Sequence, residues 1–191
     1  MAEIVLIRHG QTEWSANGRH TSFTDLDLTD AGVEQARQAG RRLGGRTFAA
    51  VLSSPRRRAI RTAELAGLRV TETTENLVEW NYGDYEGITT AEIRRTRPDW
   101  SLWTDGCPGG ETPEQVGARV DKVLAQARAL LERGDVALVG HGHCLRVCGA
   151  RWVGLPPADG GRLRLDTATL CSLGFEHEVD QVIDTWNAPC G

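Results

Sequence analysis

The stretch Glu3-Ile4-Val5-Leu6-Ile7 runs directly into Arg8-His9-Gly10, and this junction decides both the fold and the position of the chemistry. A short apolar run, rich in β-branched residues and ended by glycine, predicts a buried strand. Much later, Asp135-Val136-Ala137-Leu138-Val139-Gly140 repeats the pattern and ends in His141-Gly142. Ligands of open α/β sheets lie beyond the carboxyl ends of the strands, so we expect both histidines at one ligand-binding edge.

The segments between these two strands alternate between helical and extended patterns. A helical pattern opens at Leu28-Thr29 and ends at Gly44-Gly45, a strand follows over 48–53, and a second helix over 55–65. This βαβ alternation predicts an α/β protein, a three-layer α/β/α sandwich with a mostly parallel central sheet. Further strands are predicted at 68–72, 169–176 and 181–186, and further helices at 89–96, 112–131 and 144–153.

Length and composition limit the classes of protein to which the chain can belong. Its 191 residues are 40% hydrophobic and 25% charged, which suits one globular core. We expect a single domain over 1–191, with an irregular, cap-like excursion at about 77–110. The net charge of -4 supplies no overall basic field for nucleic acid or for an anionic membrane surface. We therefore expect neither kind of partner.

The cysteines and the N-terminus indicate a compartment. Five cysteines make an odd number without any Cys-x-x-Cys spacing, which argues against a disulfide framework and a zinc ribbon. The N-terminus has no signal-peptide pattern, so a cytoplasmic protein is expected. The histidines and cysteines of 140–148 lack a convincing zinc geometry, and we predict neither a metal nor a cofactor. A homodimer is a reasonable expectation by base rate.

Several further motifs follow one another along essentially the whole chain. They are Arg8-His9-Gly10 with Thr12 and Trp14, Thr24 to Thr29, Ser53 to Ala63, Glu79 to Gly87, and Gly140-His141-Gly142. In this order they resemble the motifs of the histidine phosphatase (phosphoglycerate mutase-like) superfamily. Within that superfamily the chain looks closest to small actinobacterial acid phosphatases, through Gly18-Arg19-His20-Thr21 and the segment 103–110.

The resemblance implies roles for five residues, and phosphoryl transfer needs groups of these types. It requires an in-line nucleophile, cationic donors for the equatorial oxygens and a proton for the leaving alkoxide. His9 is the expected nucleophile, and Arg8 and Arg58 present planar forks to the phosphate, with His141 as a third donor if protonated. Glu79 is the expected proton donor and then the base that activates water.

Each assignment has a simpler alternative. His9 is by itself compatible with a polar residue at a strand end, Arg58 with a solvated helix arginine, and Glu79 with a surface carboxylate. A second set of residues is expected to bind the phosphate or line its pocket. These are Ser15, Thr21, His20, Gly142 and His143, with a loop or cap role as the alternative for His20, Thr21 and His143.

Two departures from the mutases of the superfamily favour hydrolysis over transfer. Ser15 follows Trp14 at the position where the mutases carry asparagine. The mutases also have a longer inserted segment that limits the access of water, and the excursion at 77–110 is shorter than that segment. We therefore expect a metal-independent phosphatase that hydrolyses small-molecule phosphate monoesters through a phosphohistidine on His9. The alternatives are a cofactor-dependent phosphoglycerate mutase, a protein phosphatase acting on phosphohistidine or phosphotyrosine, and a non-catalytic binder of phosphorylated ligands.

Overall fold

The computed structural model describes residues 2–190 as one six-stranded sheet between two layers of helices. The strands are β1 (Ile4–Arg8), β2 (Ala50–Ser53), β3 (Glu72–Thr73), β4 (Val136–Gly140), β5 (Leu170–Glu176) and β6 (Asp180–Ala188). The α-helices are α1 (Glu13–Asn17), α2 (Asp30–Leu43), α3 (Arg57–Leu65), α4 (Thr90–Arg94), α5 (Leu102–Asp105), α6 (Pro113–Leu130) and α7 (Gly142–Trp152).

The strand order is β3-β2-β4-β1-β5-β6, and the first four strands are parallel. β5 pairs with β1 and β6 in the antiparallel sense, so the predicted mostly parallel sheet is confirmed. Arg8 is the register partner of Gly140, and the backbone N–H of His9 donates to the Gly140 carbonyl at 3.0 Å. The residues that follow β1 and β4 therefore lie side by side at one edge.

Alternating side chains of the two central strands fill both sides of the sheet. On one side Ile4 and Leu6 join a buried cluster that includes residues of α6 and α7. On the other side Val5 and Ile7 pack with small residues of α2 and α3, among them Ala59. Strands that are buried on both faces are a property of parallel sheets covered by helices, and this burial fixes the register of the edge at which the two histidines lie.

Among the differences between the predicted and the observed element boundaries, two concern β3 and α7. The strand predicted at 68–72 is wrong in position, because Leu68 and Val70 pack against the core and pairing with β2 begins only at Glu72. The helix predicted from Cys144 begins at Gly142, two residues earlier. This second difference matters because it brings the first free N–H groups of α7 to the edge of the sheet.

The excursion predicted at 77–110 contains short helices joined by irregular chain. They are α4, α5 and the 3₁₀ turn Gly83–Tyr85. Trp80 and Trp100 are buried within it. Within residues 2–190 no helix is both long and apolar enough to cross a bilayer.

Candidate active site

His9 lies immediately beyond β1, and its side chain is 5% exposed. Its Nδ1 is 2.7 Å from the Gly10 carbonyl oxygen, which can only accept, so Nδ1 carries the proton and Nε2 keeps a lone pair. Burial, followed by the positive charges of Arg58 and Arg8, lowers the pKa of His9 well below its ordinary value. The ring is therefore neutral and suited to nucleophilic attack through Nε2.

The turn after His9 has room only for glycine. A Cβ atom on Gly10 would lie 2.3 Å from the carbonyl oxygen of Gly32, at the start of α2. The N–H of Gly10 donates to the hydroxyl of Thr62 on α3 at 3.0 Å. Gly10, whose carbonyl orients His9, is thus held in place by contacts with both α2 and α3.

Arg8 contributes a cation with an unused donor. One of its Nη groups donates to the Leu165 carbonyl, whereas its buried Nε has no partner within residues 2–190. Burial lowers the pKa of Arg8, and the nearby Glu79 opposes this shift. A Cβ on Gly142 would lie 3.2 Å from Nε, so glycine at this position lets the start of α7 pack closely against the guanidinium. A buried cationic N–H without a partner suits an anionic oxygen.

Arg58 is fully buried, and it lies behind the second histidine. Its Nε donates to Nδ1 of His141 at 3.2 Å, and Nε2 of His141 lies 2.7 Å from the hydroxyl of Ser54. The remaining guanidinium N–H groups donate to three carbonyl oxygens of one loop, those of Thr21, Ser22 and Thr24. Arg58 therefore joins α3, the 21–24 loop and His141.

His141 has no open ring nitrogen in this arrangement. Its pKa is lowered well below the ordinary value by burial, then by Arg58 and by His9, whose ring centroid is 5.1 Å away. His141 is consequently neutral, and the cationic form considered from the sequence is disfavoured here. Its place is beside the nucleophile, with its N–H directed at Ser54.

Glu79 lies in irregular chain, yet its carboxylate is held by three backbone N–H groups. Oε1 accepts from Trp80 and Cys144 at 2.9 Å each, and Oε2 accepts from His143 at 3.0 Å. Two of these donors belong to the first turn of α7, whose positive end suits a carboxylate. The side chain is 6% exposed and is not the surface carboxylate of the simpler alternative.

These groups surround a cavity of about 270 Å³. Eight of the ten predicted site residues line it, whereas Arg58 and His141 lie behind the lining. The predicted lining residues are Arg8, His9, Ser15, His20, Thr21, Glu79, Gly142 and His143, and the others are Gly18, Arg19, Tyr82, Thr90, Arg146 and Leu165.

The hydroxyl groups predicted to bind phosphate already have protein partners. Ser15 Oγ donates to the Thr12 carbonyl at 3.0 Å and accepts from the Thr12 N–H at 2.8 Å, which caps α1. Thr21 donates to the Arg19 carbonyl at 3.0 Å. His20 donates from Nδ1 to the Ile88 carbonyl at 2.7 Å, which leaves its Nε2 as an acceptor. The hydroxyl protons of Ser15 and Thr21 are therefore already used in hydrogen bonds, whereas Nε2 of His20 can accept a hydrogen bond from a ligand.

Arg146 lies on the wall of the cavity, although it was not among the site residues predicted from the sequence. Its guanidinium carbon lies 4.4 Å from the centre of the Trp103 ring, and two of its nitrogens donate to the Gly160 and Gly161 carbonyls at 3.0 and 2.9 Å. Arg146 follows Gly142 by one helical turn, a spacing that places both on one helix face. The abundance of arginine in the chain concealed this signal.

The chain is similar to known proteins over nearly its whole length. The family model described as the histidine phosphatase superfamily (branch 1) matches residues 4–189. An acid phosphatase of Mycobacterium tuberculosis is 49% identical over 181 residues, covering 94% of this chain and 89% of that protein. Sedoheptulose 1,7-bisphosphatase of Saccharomyces cerevisiae is 36% identical over 183 residues, covering 79% and 67%. A solved structure of a Mycobacterium tuberculosis open reading frame product superposes with a TM-score of 0.96 at 45% identity, covering 100% and 99%.

Proposed function

Because the chain belongs to the histidine phosphatase superfamily (branch 1), we propose that it hydrolyses phosphate monoesters of small molecules through a phosphohistidine on His9. Its activity class, a phosphomonoesterase, follows from the family and from its acid phosphatase relative. The roles of individual residues are our proposal. The observation that carries it is the neutral His9, whose Nε2 keeps its lone pair and whose ring lines the same cavity as Arg8 and Glu79.

In the first step Nε2 of His9 attacks phosphorus and the bond to the ester oxygen breaks. Arg8 and the N–H of Gly142, at the positive end of α7, stabilise the charge on the equatorial oxygens. Arg58 and the neutral His141 support the same face from behind. Glu79, which starts this step protonated, gives its proton to the departing alkoxide oxygen and becomes the carboxylate that accepts from the three N–H groups.

In the second step water replaces the leaving group. Glu79 takes a proton from this water while its oxygen attacks phosphorus, and the phosphorus–nitrogen bond breaks. His9 recovers its lone pair, inorganic phosphate departs and Glu79 is protonated again. No electron or proton is left over, so we propose a cycle that needs neither a metal nor another cofactor.

The phosphoglycerate mutase alternative is less supported than hydrolysis. The acid phosphatase and the bisphosphatase among the relatives are both named as hydrolases. The observation that favours hydrolysis is the open cavity beside Glu79, which gives water a route to a phosphorylated His9.

The cavity wall supports a leaving group that carries a second anionic group. Arg146 has an Nη nitrogen with no hydrogen-bond partner within residues 2–190, and Arg19 lines the same cavity. Nε2 of His20 can accept a hydrogen bond from a hydroxyl group. A sugar bisphosphate has both features, and this is the substrate class in the name of the yeast relative.

The decisive experiment measures phosphate release from p-nitrophenyl phosphate and a panel of phosphorylated metabolites in excess chelator. His9→Ala should abolish release, whereas His177→Ala, at an exposed position, should not. Enzyme that is quenched during turnover and then denatured should carry covalently bound phosphate. This linkage should be stable to alkali and labile to acid, as expected of phosphohistidine. Interconversion of phosphoglycerates without release would support the mutase, and binding without either reaction would support the non-catalytic alternative.

Two further parts of the proposal concern the setting of the enzyme. All five cysteines are free thiols and four of them are buried, which supports a reducing compartment such as the cytoplasm. A homodimer is proposed on base rate alone, and light scattering measures it directly.

A further inference from the structure

Glu79 depends on its surroundings more than the other proposed catalytic groups do. His9 follows a strand and His141 precedes a helix, whereas Glu79 lies between the 3₁₀ turns Glu75–Leu77 and Gly83–Tyr85. Its carboxylate is held by three N–H groups, but these bonds do not fix the backbone that carries it. Some other part of the molecule has to hold that backbone.

Arg119 of α6 binds the chain on the N-terminal side of Glu79. One of its Nη groups donates to the carbonyl of Val78 at 2.7 Å and to that of Asn76 at 3.0 Å. The same nitrogen is 3.5 Å from Sγ of Cys144, whose backbone N–H donates to the Glu79 carboxylate. Arg119 thus contacts both the segment that carries Glu79 and the helix turn that receives its carboxylate.

Glu111 binds the chain on the C-terminal side. Its Oε2 accepts from the N–H of Asn81 at 2.8 Å, its own N–H donates to the Asn81 carbonyl at 2.9 Å, and its carbonyl accepts from the Trp80 indole at 2.9 Å. This close approach of the two segments requires glycine at position 110, because a Cβ there would lie 2.2 Å from the Asn81 carbonyl oxygen.

A two-pronged ion pair joins these two supports. Nε and an Nη of Arg119 donate to the two carboxylate oxygens of Glu111 at 2.8 and 3.0 Å. The side chains are only 12% and 20% exposed, so solvent weakens the pair less than it weakens a surface pair. Thr112 forms a capping box with Gln115, which fixes the start of the helix that carries Arg119.

We propose that Arg119, together with Glu111, is a positioning residue for Glu79 in the phosphatase reaction. Neither residue lines the cavity, and both act through the backbone of 78–81. This inference rests on the proposed role of Glu79 as proton donor and base. Loss of the pair lets the segment shift, and a displacement of the carboxyl group by a fraction of an ångström weakens proton transfer.

The test compares two substrates that differ in their need for a proton. p-Nitrophenolate leaves without much assistance, whereas the alkoxide of glycerol 2-phosphate requires the acid. Arg119→Met should lower kcat/KM for glycerol 2-phosphate at least about 10-fold more than for p-nitrophenyl phosphate, because general acid catalysis contributes roughly 10²–10⁴-fold. Glu79→Gln should give the same pattern, and Arg119→Lys an intermediate one.

A second readout follows the base role of Glu79. In Arg119→Met the aryl ester should still phosphorylate His9 quickly while water attacks slowly. We expect a burst of p-nitrophenol of about one equivalent per enzyme, followed by slow turnover. A role confined to stability would lower the melting temperature and the amount of active enzyme without changing the substrate ratio or producing a burst.

A matched control is available in a second two-pronged ion pair of α6. Arg151 of α7 donates to both carboxylate oxygens of Asp121 on α6 at 2.8 and 3.0 Å, outside the cavity. Arg151→Met should leave the substrate ratio within about twofold of the wild type. If Arg119→Met does not fold, Glu111→Gln is used instead, and the same shift in ratio is expected.

Equal losses on both substrates, without a burst, would overturn the inference. Failure of the proposed function would give a different result: the His9→Ala variant would still release phosphate, with arginine or with methionine at position 119. The two hypotheses are therefore separated by variants at different positions.

Discussion

Arg58 donates a hydrogen bond from Nε to Nδ1 of His141 across 3.2 Å, within the buried interior of the site. A guanidinium can only donate, so Nδ1 of His141 has to accept and its proton resides on Nε2. That proton points to the hydroxyl of Ser54, 2.7 Å away. The two residues behave as one unit, in which Arg58 sets the tautomer of His141 and adds to the effect of burial in lowering its pKa.

Replacing Arg58 should therefore impair catalysis more than replacing the adjacent Arg57. Arg58→Gln removes a buried cation, the partner of His141 and the donor to the 21–24 loop, so kcat/KM should fall at least about 100-fold. Arg57→Gln is the control, because the Arg57 side chain is 65% exposed and, within residues 2–190, forms an ion pair with Asp27 alone. Its kcat/KM should change by no more than about twofold. Similar losses in both variants would argue against a special role for Arg58.

The charge state of His9 is open to direct titration. Burial, then Arg58 and Arg8, lower its pKa, so the ring should stay neutral well below the ordinary histidine value of about 6.5. Carbon-13 NMR of the labelled ring would follow this titration. In Arg8→Met one of the lowering charges is gone, and the pKa of His9 should rise. A His9 that protonates near the ordinary value in the wild type would contradict the proposed nucleophile.

Buried neutral histidines should make the fold less stable in acid. His9, His141 and His143 all have pKa values lowered by burial, so the unfolded chain binds protons that the folded chain does not. The free energy of unfolding therefore has its full value above the pKa of histidine in the unfolded chain, about 6.5. Below that pH it falls by up to about 1.4 kcal/mol per pH unit for each histidine.

Urea unfolding at several pH values measures this slope. His141→Gln should reduce it, because this variant lacks one of the three rings whose pKa burial lowers. A free energy of unfolding that stays constant from neutral to weakly acidic pH would show that these rings are not buried in the neutral form.

Arg146 should discriminate between leaving groups. Arg146→Met keeps much of the apolar contact with Trp103 but removes the donors, so kcat/KM for a sugar bisphosphate should fall at least about 10-fold. The value for p-nitrophenyl phosphate, whose leaving group has no second anion, should change much less. Equal effects on both substrates would place Arg146 in the support of the 160–161 turn and not in substrate binding.

The sequence alone was sufficient for the sheet edge and for most of the cavity lining. The apolar runs that end at Arg8 and Gly140 predict neighbouring parallel strands, and strand geometry then brings His9 and His141 together. This prediction works because the periodicity of a strand and its burial are local properties of the chain.

Only the tertiary structure decided how these groups are held. The tautomer of His141 depends on Arg58, 83 residues away, and Glu79 is held by backbone N–H groups of α7 and by the pair between Arg119 and Glu111. Such contacts join segments that are distant along the chain and leave no periodic signal in it. Charge state, hydrogen-bond direction and burial arise only when those segments pack together, because each depends on which neighbours exclude water.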